Sequence, residues 1–163
     1  MLQFFENPKT RTGLRLSARE RTAGLRIVNV PRILFSTGSF RSFGTHAGAI
    51  AVFDGGAAVL TTGIALDLPV PFACTITEVN MYSQQTGSLV IDVWKDTHGN
   101  FPPTVADSIT AAAKPTITAS NKSQDSDLTG WDTTINAGDI LRFNIDSVSS
   151  IQRATLILEV ERT

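Results

Sequence analysis

In four stretches of this chain, residues 64–70, 76–83, 89–94 and 154–161, side-chain character changes at every second position. A period of two is the signature of a strand with one buried face, and no helix can satisfy it. In ITEVNMYSQQ, Ile76, Glu78, Asn80 and Tyr82 fall on one side and Thr77, Val79, Met81 and Ser83 on the other. In SLVIDVWKD, Leu89, Ile91 and Val93 share one side, and Val90, Asp92 and Trp94 share the other. Near the end, Leu156, Leu158 and Val160 alternate with Thr155, Ile157, Glu159 and Glu161.

Turn residues punctuate these runs. A short apolar strand at 49–53 meets Asp54, Gly55 and Gly56, a strong turn signal. A strand is predicted to resume at 57–62, with Gly63 as a bulge, before the alternating run 64–70. Gln84-Gln85-Thr86-Gly87 is predicted to reverse the chain. A long excursion spans 97–132, with a short helical turn expected at 108–113, a brief strand at 116–118 and polar loop from 120 to 129. Asn136-Ala137-Gly138-Asp139 forms a tight turn before a strand at 140–145, with Gly138 at positive φ and Asp139 bonding the turn backbone. Seven or eight antiparallel strands with one long crossover, and no long amphipathic helix, give an all-β chain: a jelly-roll-like β-sandwich with an extended N-terminal arm.

The arm differs in charge from the rest. Residues 1–45 have a side-chain balance of +6 and residues 46–163 a balance of −7, which hides behind a net charge of −1. The chain therefore divides into a basic arm, 1–45, and a β-sandwich domain, 46–163. The arm is rich in turn residues, and its regular structure is expected to be one helical turn followed by a short strand at 25–30. Its positive charge comes from Lys9 and from Arg11, Arg15, Arg19, Arg21, Arg26, Arg32 and Arg41. Arginine forks bind carboxylates and carbonyl oxygens, which suits anchoring onto a protein surface. A flexible tail and a nucleic-acid arm are the competing readings. Spread arginines without a reader motif point away from nucleic acid. No apolar run is long enough to span a bilayer, and no secretory segment is evident, which fits synthesis inside the cell.

Chemistry-bearing motifs are scarce. Cys74 is the sole cysteine, so no intrachain disulfide is possible; it sits in an apolar run and is expected to be a buried small hydrophobe. His46 and His98 are the only imidazoles. His98 neighbours Asp92 and Asp96 in sequence, but KDTHGN is a polar turn without the ligands a zinc site needs. Asn121, Gln124, Asp125, Ser126, Asp127 and Asp132 offer oxygens without the spacing of a calcium loop, so turn formation is expected there. Trp94 and Trp131 are candidates for core packing, a subunit contact or a ligand platform. No phosphate loop, serine elbow or metalloprotease motif is present. The expectation is a non-enzymatic chain without cofactor or metal.

The ordered phrases AVFDGGAAVLTTGIALDLPVPFACTITEVNMYSQQTGSLVIDVWKD, FPPTVADSITAAAKPTI, LTGWDTTINAGDILRFNIDSV and LILEVER span about residues 50–162. In that order they resemble a C-terminal module of tailed-bacteriophage structural proteins, found on fibre, spike, tail and head-decoration proteins. The segment Asp92–Asp96, the pair Pro102-Pro103 and the turn at Gly138-Asp139 stand where the resemblance leads one to expect them. The resemblance implies a virion component assembled in the bacterial cytoplasm, a compact β-sandwich, a homotrimer, and capsid or tail proteins as partners. Family members often carry a long shaft before the module; here about 48 residues precede it, without a shaft. That favours a capsid decoration or short head-fibre subunit docked through its arm. The alternative is a tail-fibre or tail-tip protein that binds a receptor or host surface glycan through the 97–132 excursion.

Overall fold

The computed structural model describes residues 38–163, with side chains from residue 44 onward. Arg11, Arg15, Arg19, Arg21, Arg26 and Arg32, and the strand expected at 25–30, lie outside the described residues. The strands are β1 (Gly38–Phe43), β2 (His46–Asp54), β3 (Ala65–Pro69), β4 (Cys74–Thr97), β5 (Thr116–Asp125), β6 (Thr134–Ile135), β7 (Asp139–Ser149) and β8 (Arg153–Arg162). The only helical pieces among the described residues are 3-10 turns at His98–Asn100 and Val105–Asp107. Every strand pairing is antiparallel. The domain is all-β, with a sandwich-like, jelly-roll-like architecture. The sheet starts at Gly38, ahead of the boundary placed at 46, and Arg41 belongs to β1.

One strand organises the whole. β4 has 24 residues and would be about 80 Å long if straight, several times the height of a small sandwich. It therefore serves two layers. Cys74 to Ser83 pairs with β8, which continues to β2 and β1. Ser88 to Thr97 pairs with β7, which continues to β3. β5 follows β4 from one layer into the other, pairing first near Val90 and then near Val79. β1 and β3, the two ends of the hydrogen-bonded path, lie next to each other.

The reversal predicted at 84–87 does not occur; the chain bends there and stays in strand. The polar residues that imitate a turn instead hold the bend. Gln85 exchanges hydrogen bonds with Gln152, donating to its side chain and accepting from its backbone N–H, both at 3.1 Å. The Ser83 hydroxyl donates to the Gln85 carbonyl at 2.7 Å. Gly87 is required at the bend, because a Cβ there would collide with the Ser149 carbonyl and lie 2.9 Å from Ile151 Cγ1.

Three further expectations are corrected. Residues 57–62 are not a strand: they cross between layers, tied by single bonds from Leu60 N to Ile151 O (2.9 Å) and Gly63 N to Ile145 O (2.8 Å), with no neighbouring strand to build a ladder. The helical turn expected at 108–113 is displaced to Val105–Asp107, where Thr104 and Asp107 form a reciprocal cap. The strand expected at 116–118 runs on to Asp125, so most of the supposed polar loop is an edge strand whose outer edge meets water.

Register explains the core. A bulge at Thr77 sets Ile76 opposite Val160 and Glu78 opposite Glu159. Ile76 therefore joins Val79 and Met81 inside, where a strict alternation puts it on the opposite face. Leu89, Ile91 and Val93 face inward from the other half of β4, against Leu141, Phe143 and Ile145 of β7. Each such fully buried side chain contributes about 1.5–3 kcal/mol. Ala47, Ala49 and Ala51 line the inner side of β2, and their small size lets the layers approach.

Candidate functional site

The outer face of the second layer carries the polar chemistry. Val90, Asp92 and Trp94 point away from the core, yet Asp92 is fully buried, because residues 105–115 cover it. Ser108 Oγ and Thr110 Oγ1 each donate to Asp92 Oδ1 at 2.7 Å. Lys114 Nζ sits 2.9 Å from Asp92 Oδ2 and 2.6 Å from Asp146 Oδ2. Asn144 Nδ2 donates to the other oxygen of Asp146 at 2.7 Å. Burial pushes the Asp92 carboxyl up, but Lys114, the Trp94 indole N–H, Ser108 and Thr110 together outweigh it and hold the carboxyl below its usual range. Asp146, then Asp92, raise the Lys114 ammonium. Asp92 is thus a charged carboxylate, bonded through Oδ1 to two hydroxyls and paired through Oδ2 with Lys114, that pins the excursion to the sheet. Lys114, paired with both carboxylates, is held as an ammonium and is not a base for Ser108.

A second cluster lies where the excursion starts. Arg142 forms a two-pronged pair with Asp67, at 2.7 Å for both contacts, and reaches the Pro103 carbonyl at 3.4 Å. Its guanidinium lies 5.6 Å from the centre of the Phe101 ring, the other side of which is open: Phe101 is 50% exposed. Asp96 Oδ1 accepts from Asn100 Nδ2 at 3.1 Å and from Thr97 N at 2.6 Å. His98 is exposed on the same short turn. The group offers an aromatic surface with amide and carboxylate neighbours.

Trp131 is 9% exposed and belongs to the core; its Nε1 donates to the Ala113 carbonyl at 2.8 Å, so it seals the excursion against the sandwich. Trp94 is half-buried, bridged to Ser108. Both turns named from the sequence bond through their Asp. Asp54 Oδ1 accepts from Gly56 N at 2.8 Å, and Asp139 Oδ2 accepts from Asn136 N at 2.8 Å. Gly55 N donates to the Gln152 carbonyl at 2.8 Å, and Gly138 takes φ 92°. Asp125 Oδ1 accepts from Asp127 N at 2.9 Å and Leu128 N at 3.3 Å, an Asx turn that ends β5. Among the described residues, no three His, Cys, Asp or Glu side chains converge as metal ligands. Cys74 is buried, and burial pushes its thiol up, away from nucleophilic thiolate. A cleft of about 170 Å³ opens beside β5, lined in part by Lys114, Thr116, Ser123, Gln124 and Asp125. It suits a few waters or a small polar group. Among the described residues, no helix is long and apolar enough to cross a membrane.

The sequence reading placed Asp92 on the strand face with Val90 and Trp94 and near His98, but it assigned no part in a cluster to Asp92, Lys114, Asp146, Asp67 or Arg142. One signal was available: an Asp inside the apolar run LVIDVW needs a partner if it is buried. The partner's identity was not readable, because Lys114 and Asp146 come from distant points of the chain.

The chain matches no protein-family model and no curated protein sequence. Among solved structures it is similar to RmlC from Streptococcus suis in complex with dTDP-D-xylose, at 11% identity over 78% of this chain and 71% of that chain. The TM-score is 0.21, too low a likeness to carry an argument.

Proposed function

We propose that the protein is a non-enzymatic structural component of a tailed-phage particle, a decoration or short head-fibre subunit docked through its N-terminal arm. The observation that carries this reading is the charge division: +6 in residues 1–45 against −7 in residues 46–163. A basic segment is drawn to an acidic surface that repels an acidic domain, so the two stretches suit different surroundings. The phrases that resemble phage structural modules span β2 through β8, so the likeness concerns the scaffold of the domain.

Deleting residues 1–37 removes the basic segment and leaves every described strand. The shortened protein is expected to remain soluble and folded by circular dichroism. Its copy number on purified particles is expected to fall at least about tenfold, since forked arginine contacts are lost together. Unchanged copy number would end the docking reading.

Phe101 favours a second reading, a receptor- or glycan-binding tail protein. Its exposed ring, preceded in the chain by Asn100, which is bonded to Asp96, has the makings of a sugar platform. If that reading holds, Phe101→Ala weakens particle adsorption to host cells about tenfold or more while stability stays within about 0.5 kcal/mol. Wild-type adsorption by the variant would leave the structural reading alone.

A further inference from the structure

Aspartate followed by glycine is the step at which an aspartyl chain rearranges most readily, because no side chain shields the amide that attacks the carboxyl. The chain contains one such step, Asp54-Gly55, and no Asn-Gly. It stands where β2 ends and the crossing at 55–64 begins. The Asp54 side chain is 52% exposed, so burial does not protect it. Glycine is required at the second position: a Cβ on Gly55 would collide with the Ala58 carbonyl oxygen and lie 3.2 Å from that of Gln152. The turn therefore imposes the reactive step, and the same turn surrounds it with restraints. Asp54 is the last residue of the β2–β8 ladder, opposite Arg153. Its Oδ1 accepts from Arg153 Nε and from Gly56 N, both at 2.8 Å. Gly55 N, the atom that would attack, donates instead to the Gln152 carbonyl at 2.8 Å. Arg153, then the Gly56 N–H, hold the Asp54 carboxyl below its usual range and so keep it ionised.

We propose that Asp54-Gly55 is a latent site of isoaspartate formation, held unreactive by Arg153 on its carboxylate and by the Gln152 carbonyl on its amide, and released when this end of β2 separates from β8. The reaction needs only water. The carboxylate first takes a proton from solvent. Gly55 N then bonds to Asp54 Cγ, the Cγ–OH bond breaks, and the hydroxyl leaves with the amide proton as water. A five-membered imide results. Water next adds to one of its two carbonyls. Opening at Cγ restores aspartate. Opening at the main-chain carbonyl of Asp54 breaks its bond to Gly55 N and leaves the backbone running through Cγ, as isoaspartate. Each restraint acts on one partner of the first bond. A carboxylate is a poor electrophile, and an amide whose proton is bound to a carbonyl is not free to turn toward Cγ. The product carries one extra main-chain carbon between the last ladder pair and the crossing, which displaces Gly55 from Gln152. The site concerns the β domain alone and is independent of docking through the arm.

The full chain, incubated for weeks at neutral pH with and without guanidinium chloride and then digested, tests it. Isoaspartate at position 54 is read from its separate chromatographic peak and from electron-transfer fragmentation of the peptide. Both restraints are gone in denaturant, so the folded chain is expected to form isoaspartate about tenfold more slowly, or slower still. Arg153→Gln is expected to raise the folded-state rate about threefold or more, with the rate in denaturant unchanged. Asp54→Asn has no carboxylate for Arg153 to pair with, so it isolates the restraint on the amide. Its loss of ammonia to the same imide is expected to remain about tenfold slower in the folded chain than in denaturant. That variant also serves if Arg153→Gln is not folded by circular dichroism. Equal rates with and without denaturant, for the wild-type chain or for Asp54→Asn, would overturn the proposal. So would a folded Arg153→Gln variant that reacts no faster than wild type.

Discussion

Replacing Asp92 with alanine is expected to lower the unfolding free energy by about 3 kcal/mol or more, measured by urea denaturation at pH 7. Two hydroxyls and an ammonium converge on this carboxylate, and all three lose their acceptor at once. The Ser108 and Thr110 hydroxyls have little access to water. Lys114 keeps Asp146 and is 30% exposed, which sets the loss at the lower end of the range for a broken buried pair. Asp92→Asn, which can still accept from both hydroxyls, is expected to cost about half as much. The pH dependence follows from the direction of each shift. The folded-state carboxyl of Asp92 lies below its usual range, so its contribution is fully present above about pH 4 and fades as pH falls through the depressed value. The Lys114 ammonium is raised, so its contribution is present below about pH 10 and fades as pH rises through the raised value. The gap between wild type and Asp92→Ala should therefore be flat across neutral pH and narrow in strong acid. A gap unchanged at pH 2 would mean that the carboxylate charge is not what pins the excursion.

Gly87→Val is expected to be the most damaging single change in the bend of β4, with a loss above about 3 kcal/mol or failure to accumulate as soluble protein. The obstacle is the Ser149 backbone carbonyl, which cannot rotate aside as a side chain would. Relief would require β4 to separate from the end of β7, where Ser88 pairs with Ser149. Gly87→Ala meets the same carbonyl and should cost about 2 kcal/mol. Gly99→Ala is the matched control: its Cβ would meet only Thr97 Oγ1, at 3.9 Å, so a change within about 0.5 kcal/mol is expected. Equal melting temperatures for the Gly87→Ala and Gly99→Ala variants would refute the close approach at the bend.

The β class and most strand positions were legible because alternation reports which face of a strand is buried, and that is a local property. The run 89–94 shows this well: its inward residues are Leu89, Ile91 and Val93, as the pattern requires. Failures came where two structures share one local signal. Ser83 to Gly87 has the composition of a reversal, but it is a bend held by Gln152, far away in sequence. Residues 57–62 follow a turn signal with Val, Leu and Thr, which suit a strand, but have no ladder to join, and only Leu60 of that stretch is buried. The bulge at Thr77 moves Ile76 to the other face without any Gly or Pro to announce it. The polar cluster was illegible for a related reason. Its members lie on β4, the excursion and β7, so only tertiary structure brings Asp92, Lys114 and Asp146 together.

A sandwich whose layers meet only through side chains can shear, since each sheet is free to slip on the greasy surface of the other. Here the covalent backbone of β4 passes from one sheet into the other, and β5 runs beside it. A tangential load on either layer is carried by peptide bonds and by two ladders pulled along their length. The first element to yield under such a load would be the edge at β1 and β3, which no strand crosses. Amide protons at Leu89 and Met81, one in each layer, should therefore exchange with solvent at one common rate, that of opening the entire domain.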